Sequence, residues 1–218
     1  MTESNTATRK PLDQATIVAA GMALADDEGV AALTMRRLAD RVGFKVMALY
    51  NHVANKDELL ALMVDAVAGE VDPPSSDEPV MRAVRSHAIA TREAFVRHPW
   101  APALWQQFLP GPSRVDHMES LLRTLNESGL SADIAHHGFH AVNNHVLGYT
   151  LQELAMDFDI TAPDARAIAE GFLGTVSSET HPHTVAHVHE HLDGNTSSSF
   201  ELVLDLILDG LVRLQAER

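Results

Sequence analysis

Residues 33–60 read LTMRRLADRVGFKVMALYNHVANKDELL, and the order of side chains in this stretch decides the fold. Met35, Leu38, Ala39 and Val42 recur at the three-and-four spacing of a single helix face. Gly43 follows, the residue type at which a helix reverses without a Cβ penalty. A second, shorter helix is expected to begin near Lys45. It turns Leu49 and Val53 inward and leaves Lys45, Val46, Ala48, Asn51 and His52 nearer the outside. That outer face is small, chemically mixed and free of acid. The DNA major groove admits one helix and is read by a few side chains, so the stretch has the form of a helix-turn-helix reader.

On the C-terminal side, Asn55 with Glu58 three residues on has the spacing of a capping box, which starts a third helix at Lys56. Leu59, Met63, Ala66 and Val67 form its inner stripe, to about Glu70. On the N-terminal side, Asp13 is the expected N-cap of a first helix, Leu12 and Ile17 form a hydrophobic staple, and Gly29 ends it. Residues 1–11 are a polar arm ending in Arg9, Lys10 and Pro11, expected to be flexible. The reader with its connecting helix thus spans 12–71. Three prolines in DPPSSDEP, residues 72–79, break helicity and mark a boundary. Beyond it, over 80–218, proline, glycine and serine signals separate helices expected near 80–97, 102–109, 113–127, 132–157, 164–178, 183–192 and 197–216. No segment alternates like a strand, so the expected fold class is all-α.

Charge divides the chain as the helices do. The net charge of −14 argues against a polyanion partner, but residues 1–56 hold seven Lys and Arg against six Asp and Glu, and residues 57–218 hold nine against 24. A basic tip on an acidic body orients a protein on DNA and weakens adhesion elsewhere; the same acid also serves solubility. There is no cysteine, which removes disulfides and thiolate sites. No apolar run reaches membrane-spanning length and none resembles a signal peptide, so a soluble cytoplasmic protein is expected.

The last helix is apolar over most of its circumference. Glu201, Asp205, Asp209 and Arg213 share one stripe, and Phe200, Val203, Leu204, Leu206, Ile207, Leu208, Leu211, Val212 and Leu214 cover the rest. Such a helix must be buried on two sides, by its own bundle and by a partner, or at the centre of one larger bundle.

LTMRRLADRVG, LYNHV and NKDELL together resemble the tetracycline repressor (TetR) family of bacterial transcriptional regulators, closely over residues 12–70. The resemblance implies an N-terminal helix-turn-helix domain on a helical domain that binds an effector and forms a homodimer through its last long helices, with FELVLDLILDGL (200–211) in the pairing position. It also implies DNA roles. Arg36, Lys45, Val46 and Asn51 are assigned to base edges, and Thr34, Tyr50, His52 and Lys56 to phosphates. Val46, Met47 and Asn51 differ from the tetracycline repressor's residues there, which implies a different operator.

For an effector, residues 95–118 and 139–152 gather Trp100, Trp105, Phe108, Met118, Phe139 and Tyr149 with His140, Asn143, Asn144 and Gln152. Aromatic walls with a few convergent polar groups are how small-molecule sites are built, although each aromatic taken singly suits a helical core. Trp105, Asn144 and Gln152 stand near the positions where the tetracycline repressor holds antibiotic and magnesium with His and Glu. The resemblance therefore implies an organic effector without a metal chelate, and no cofactor is expected. The rival reading is a metal-binding or metal-buffering protein centred on His181–His191, where His183, His187 and His191 fall four apart on one helix face. No third ligand is evident there, and a solvated face explains the run as well. Catalytic motifs are lacking: no G-x-S-x-G, glycine-rich phosphate loop or zinc-protease helix is present, so no enzyme is expected.

Overall fold

The computed structural model describes residues 11–156, 163–192 and 199–217, and every regular element among them is helical. The expected arm at 1–11 lies, but for Pro11, outside the described residues. Helix α1, Gln14–Glu28, starts where Asp13 accepts a hydrogen bond from the Thr16 N–H at 2.7 Å. After a 3-10 turn at Val30–Ala32, α2, Met35–Val42, is capped by the Thr34 hydroxyl oxygen, which accepts from the Arg37 N–H at 3.2 Å. Gly43 closes α2 in the left-handed region, φ 71°, where side-chain-bearing residues are strained. The Phe44 N–H then bonds back to the Ala39 carbonyl at 3.0 Å, completing the turn.

Helix α3 is a single turn, Val46–Leu49, and α4 runs Lys56–Ala68. Asn55 caps α4 by accepting from the Glu58 N–H at 2.8 Å. Glu58 reaches back to the Ala54 N–H rather than that of Asn55, one residue earlier than a capping box requires. Ile17 and Leu24 of α1, Leu38 of α2, Leu49 of α3 and Leu59 and Met63 of α4 close together on a buried core, with Val53 between α3 and α4.

The remaining helices are α5, Val80–Arg97; α6, Ala101–Leu104; α7, Pro112–Glu127; α8, Ala132–Met156; α9, Pro163–Leu173; α10, Pro182–Leu192; and α11, Ser199–Ala216. Two are shorter than the sequence pattern suggests. The helix expected at 102–109 is one turn, because the next carbonyls are taken by Arg114, whose guanidinium donates to Trp105 O at 2.6 Å and Phe108 O at 3.0 Å. The helix expected at 164–178 stops at Leu173, where the Thr175 hydroxyl takes the Phe172 carbonyl.

The chain forms two compact units that do not follow a single cut at the proline-rich segment. One holds residues up to Glu70 together with Arg97–Val115; the other holds Val71–Val96 and residues from Asp116 on. A buried carboxylate is the reason. Asp65 of α4 accepts from the Ser113 N–H at 3.1 Å and the Arg114 N–H at 2.9 Å, so the amino end of α7 is capped by α4. Those amides would otherwise lack helix partners, and the helix dipole favours an anion there. The fit leaves no room at Gly111, where a Cβ would stand 2.5 Å from Asp65 Cγ.

In the second unit α8 and α11 pack side by side, burying Phe139, Val142 and Val146 against Phe200, Leu204, Leu208 and Leu211. Arg85 of α5 ties α11 in through Asp205 at 2.6 Å and Glu201 at 2.8 Å, hydrogen bonds that raise its pKa.

Replacing Gly111 by Ala pushes a methyl group into Asp65. Urea unfolding of Gly111→Ala is expected to show a loss of about 1–3 kcal/mol, the usual scale of overpacking.

Candidate nucleic-acid interface and interior polar site

The reader's cations fall into two groups. Arg37 pairs with Glu28 and also donates to Ala32 O at 3.3 Å, and Arg41 pairs with Asp27 at 2.6 Å, so two of the five basic side chains brace α2 against the end of α1. Arg36 and Lys45 are exposed and Lys56 is half-buried, and among the described residues none of the three enters an ion pair. Arg36 lies on α2, Lys45 caps α3 and Lys56 opens α4; in α3 itself Leu49 is fully buried and Met47 is 72% exposed. Asn51 and Tyr50 are exposed beside it, Val46 and His52 half-buried. The His52 carbonyl is pinned to α1 by the Gln14 side-chain amide at 3.1 Å, which fixes the far end of the reading segment. Thr34, assigned from sequence to a phosphate, accepts from the Arg37 N–H in the cap of α2, which leaves its O–H for a second partner. Met47 was not singled out from the sequence as an exposed residue of the reading helix. Its signal was the absence of any inward apolar partner at that register.

In the same unit α1, α4 and the 97–115 segment meet in a polar clasp. Asp26 accepts from the Trp100 indole N–H at 2.6 Å and lies 2.9 Å from His98 Nδ1. Glu70 lies 3.0 Å from His98 Nε2 and accepts from Arg97 at 3.0 Å. Arg114 lies with its guanidinium 4.6 Å from the centre of the Trp105 ring; burial lowers its pKa and the Asp65 charge opposes that shift.

The ten residues expected to line an effector site are divided between the two units. Trp100, Trp105 and Phe108 belong to the reading unit, and the Trp100 indole is committed to Asp26. The other seven lie in the second unit, where Met118, His140, Asn144 and Gln152 are exposed. Phe139 is buried, Tyr149 stands edge-on to Phe200 at 5.4 Å, and Asn143 donates to its own helix at Phe139 O.

The buried polar groups of the second unit include four residues that the aromatic clustering did not single out. His87 and Thr91 on α5 and His117 and Ser120 on α7 are each no more than 7% exposed. The His87 and His117 rings are 4.5 Å apart between centres. A legible signal existed: His87 and Thr91 occupy the same register as Ala83, Val84, Ala88, Ala94 and Phe95, the buried face of α5. His87 Nδ1 bonds the Asp72 carbonyl at 2.9 Å, while burial pushes its pKa below the ordinary imidazole value and the Asp72 bond partly offsets this.

His181, His183, His187 and His189 of the histidine-rich run are exposed; the side chain of His191 lies outside the described residues. Among the described residues no three His, Cys, Asp or Glu side chains converge as a metal site would require. No described helix is long and apolar enough to cross a membrane.

The model of the bacterial regulatory proteins of the tetR family matches residues 17–63, and that of the tetracyclin repressor-like C-terminal domain matches residues 74–214. The chain belongs to the TetR family. It is thus a DNA-binding transcriptional regulator, and the metal-buffering alternative is not supported. An HTH-type transcriptional regulator of Saccharopolyspora erythraea is 36% identical over 171 residues, 77% of this chain and 72% of that one. The class G tetracycline repressor protein of Vibrio anguillarum is 28% identical over 210 residues, 94% of this chain and 96% of that one. Apo ActR from Streptomyces coelicolor, 28% identical, superposes with a TM-score of 0.79 over 95% of this TetR-family chain and 98% of its own. ActR in complex with actinorhodin, 29% identical, superposes at 0.77 over 93% and 98%. These relatives are regulators rather than enzymes.

The depressed His87 pKa has a signed consequence. A histidine held neutral in the fold stabilises above its unfolded pKa, about 6.5, and that contribution is lost as pH falls through its lower folded value. Unfolding free energy is expected to drop between pH 7 and 5 in the native chain, and to drop less steeply in His87→Gln, by urea titration at each pH.

Proposed function

We propose that this protein is a homodimeric repressor that leaves a pseudo-palindromic operator when a small organic effector occupies its helical domain. The observation that carries the reading is the sorting of charge on the reader: Arg37 and Arg41 are paired with the end of α1, while Arg36 on α2 and Lys45 at the N-cap of α3 stand exposed. Residues 12–71 are the reading domain and 80–218 the effector and dimerisation domain. Arg36, Lys45, Val46 and Asn51 face base edges, joined by Met47, whose thioether suits a thymine methyl. Thr34, Tyr50, His52 and Lys56 hold phosphates and set the register. Access to operator DNA implies the cytoplasm.

A second copy is needed because two reading helices engage half-sites about 34–36 Å apart. The face of α11 turned away from α8 supports this: Leu202, Leu206 and Leu214 are 58%, 64% and 50% exposed in the single chain. A stable pair buries about 800 Å² per subunit, within reach of this helix and α8. ActR, crystallised with actinorhodin, supports an organic effector for this chain as well.

Two measurements test the reading. In gel shifts against the DNA upstream of its own gene, Arg36→Ala and Lys45→Ala are each expected to lose about 1–3 kcal/mol of base discrimination. Arg41→Ala, whose partner is Asp27, should change stability by about 0–1 kcal/mol and leave discrimination intact. Equal affinity of the native protein for random duplexes would end the proposal. In analytical ultracentrifugation Leu206→Glu is expected to shift the population from dimer to monomer and to weaken operator binding with it; an unchanged dimer would remove α11 from the interface.

A further inference from the structure

Three of the four buried polar residues on α5 and α7, His87, Thr91 and Ser120, share a hydrogen-bonding bias. The Asp72 carbonyl can only accept, so His87 Nδ1 carries the ring proton. Burial keeps the ring neutral, and a neutral imidazole with its proton on Nδ1 presents a bare lone pair at Nε2. His87 is 4% exposed, and no donor among the described residues reaches Nε2.

The hydroxyls one turn along each helix have made a matching commitment. Thr91 donates its O–H to His87 O at 2.8 Å, and Ser120 donates to His117 O at 2.9 Å. Each hydroxyl oxygen is left with lone pairs and no proton to give. His87 and Thr91 lie four apart on α5, His117 and Ser120 three apart on α7, so each pair shares a helix face. With the two histidine rings 4.5 Å apart, those faces meet. The lone pairs of His87, Thr91 and Ser120 thus all await a donor. A buried acceptor without one costs about 1–3 kcal/mol, so such a place selects its occupant by chemistry.

We propose that the effector is a hydrogen-bond donor, an aromatic or alicyclic molecule whose O–H or N–H is taken by His87 Nε2, with Thr91 and Ser120 as further acceptors. This rests on the effector reading above and narrows it. A ligand offering only carbonyl, ether or carboxylate oxygens would set acceptor against acceptor and be rejected, in the way a site built for a hydroxyl rejects the analogue that lacks one.

The test uses the full-length dimer and matched probes: 1-naphthol, 2-naphthol and indole, each against its O-methyl or N-methyl counterpart, followed by calorimetry. The donor member is expected to bind at least ten times more tightly than its methylated twin, and His87→Phe should bring that ratio close to one. Because His87→Phe can fail to fold, nitrogen-15 spectra of the native protein supply a second reading. They should show His87 with its proton on Nδ1, and Nε2 should shift on adding naphthol but not methoxynaphthalene. Equal binding within every pair, or a proton found on Nε2, overturns the donor requirement and leaves the effector reading in place. If no probe of any pair binds, the donor requirement is overturned, while the effector reading falls only if small organic molecules at large also fail to release operator DNA.

Discussion

A carboxylate inside the reading unit holds the architecture in its present form. Asp65 is 9% exposed, and a charge at that depth persists only if its lone pairs are taken. The Ser113 and Arg114 amides at the amino end of α7 take them, and Gly111 lets the backbone pass close enough. Removing the carboxylate would strand two amides rather than simply lose two bonds. The helix that carries the reader is thereby fastened to a segment some fifty positions further along the chain, and the fastening is directional, which apolar packing is not.

The same economy of charge shapes the DNA-facing end. A helix-turn-helix rich in arginine could spend all its cations on phosphate, yet Asp27 and Glu28 at the end of α1 claim Arg41 and Arg37. Exposed pairs of this kind add little stability, about 0–1 kcal/mol each. Their effect here is geometric: α2 is held to the end of α1 by two of its own cations. Non-specific attraction is thereby trimmed, and the acidic remainder of the chain trims it further.

How much of this was legible in the sequence follows from the range of the interactions. Asp13, Gly43 and Asn55 act on residues within four positions, and a local pattern sufficed to place the ends of α1, α2 and α4. The brevity of α6 depends on Arg114 reaching back to Trp105 and Phe108, and the grouping of 97–115 with the reader depends on Asp26, Asp65 and Glu70. No helical periodicity encodes those contacts. The search for aromatics found Trp100 and Trp105, but aromatic density does not separate a wall of a ligand site from an indole bonded to Asp26 or a ring under a guanidinium. His87 was readable only as a polar residue at an apolar register, and its tautomer only from the Asp72 carbonyl.

The covalent path between the two units explains why a polar clasp suits a regulator better than an apolar one. His87 and Thr91 lie on α5, which ends at Arg97 where the clasped segment begins; His117 and Ser120 lie on α7, whose first turn, to Val115, closes that segment. At about 1.5 Å per residue, His87 is roughly 15 Å from the first boundary and His117 roughly 3 Å from the second. Both helices are thus covalently continuous with the clasped segment. The segment is held to α1 and α4 by hydrogen bonds to Asp26, Asp65 and Glu70, which shift or break over a fraction of an ångström, whereas Leu49 and Met63 stay in a core that does not need to reopen. On the reading proposed above, what an effector has to alter is therefore this set of hydrogen bonds and not the apolar core of the reader, the condition for a switch that must work reversibly.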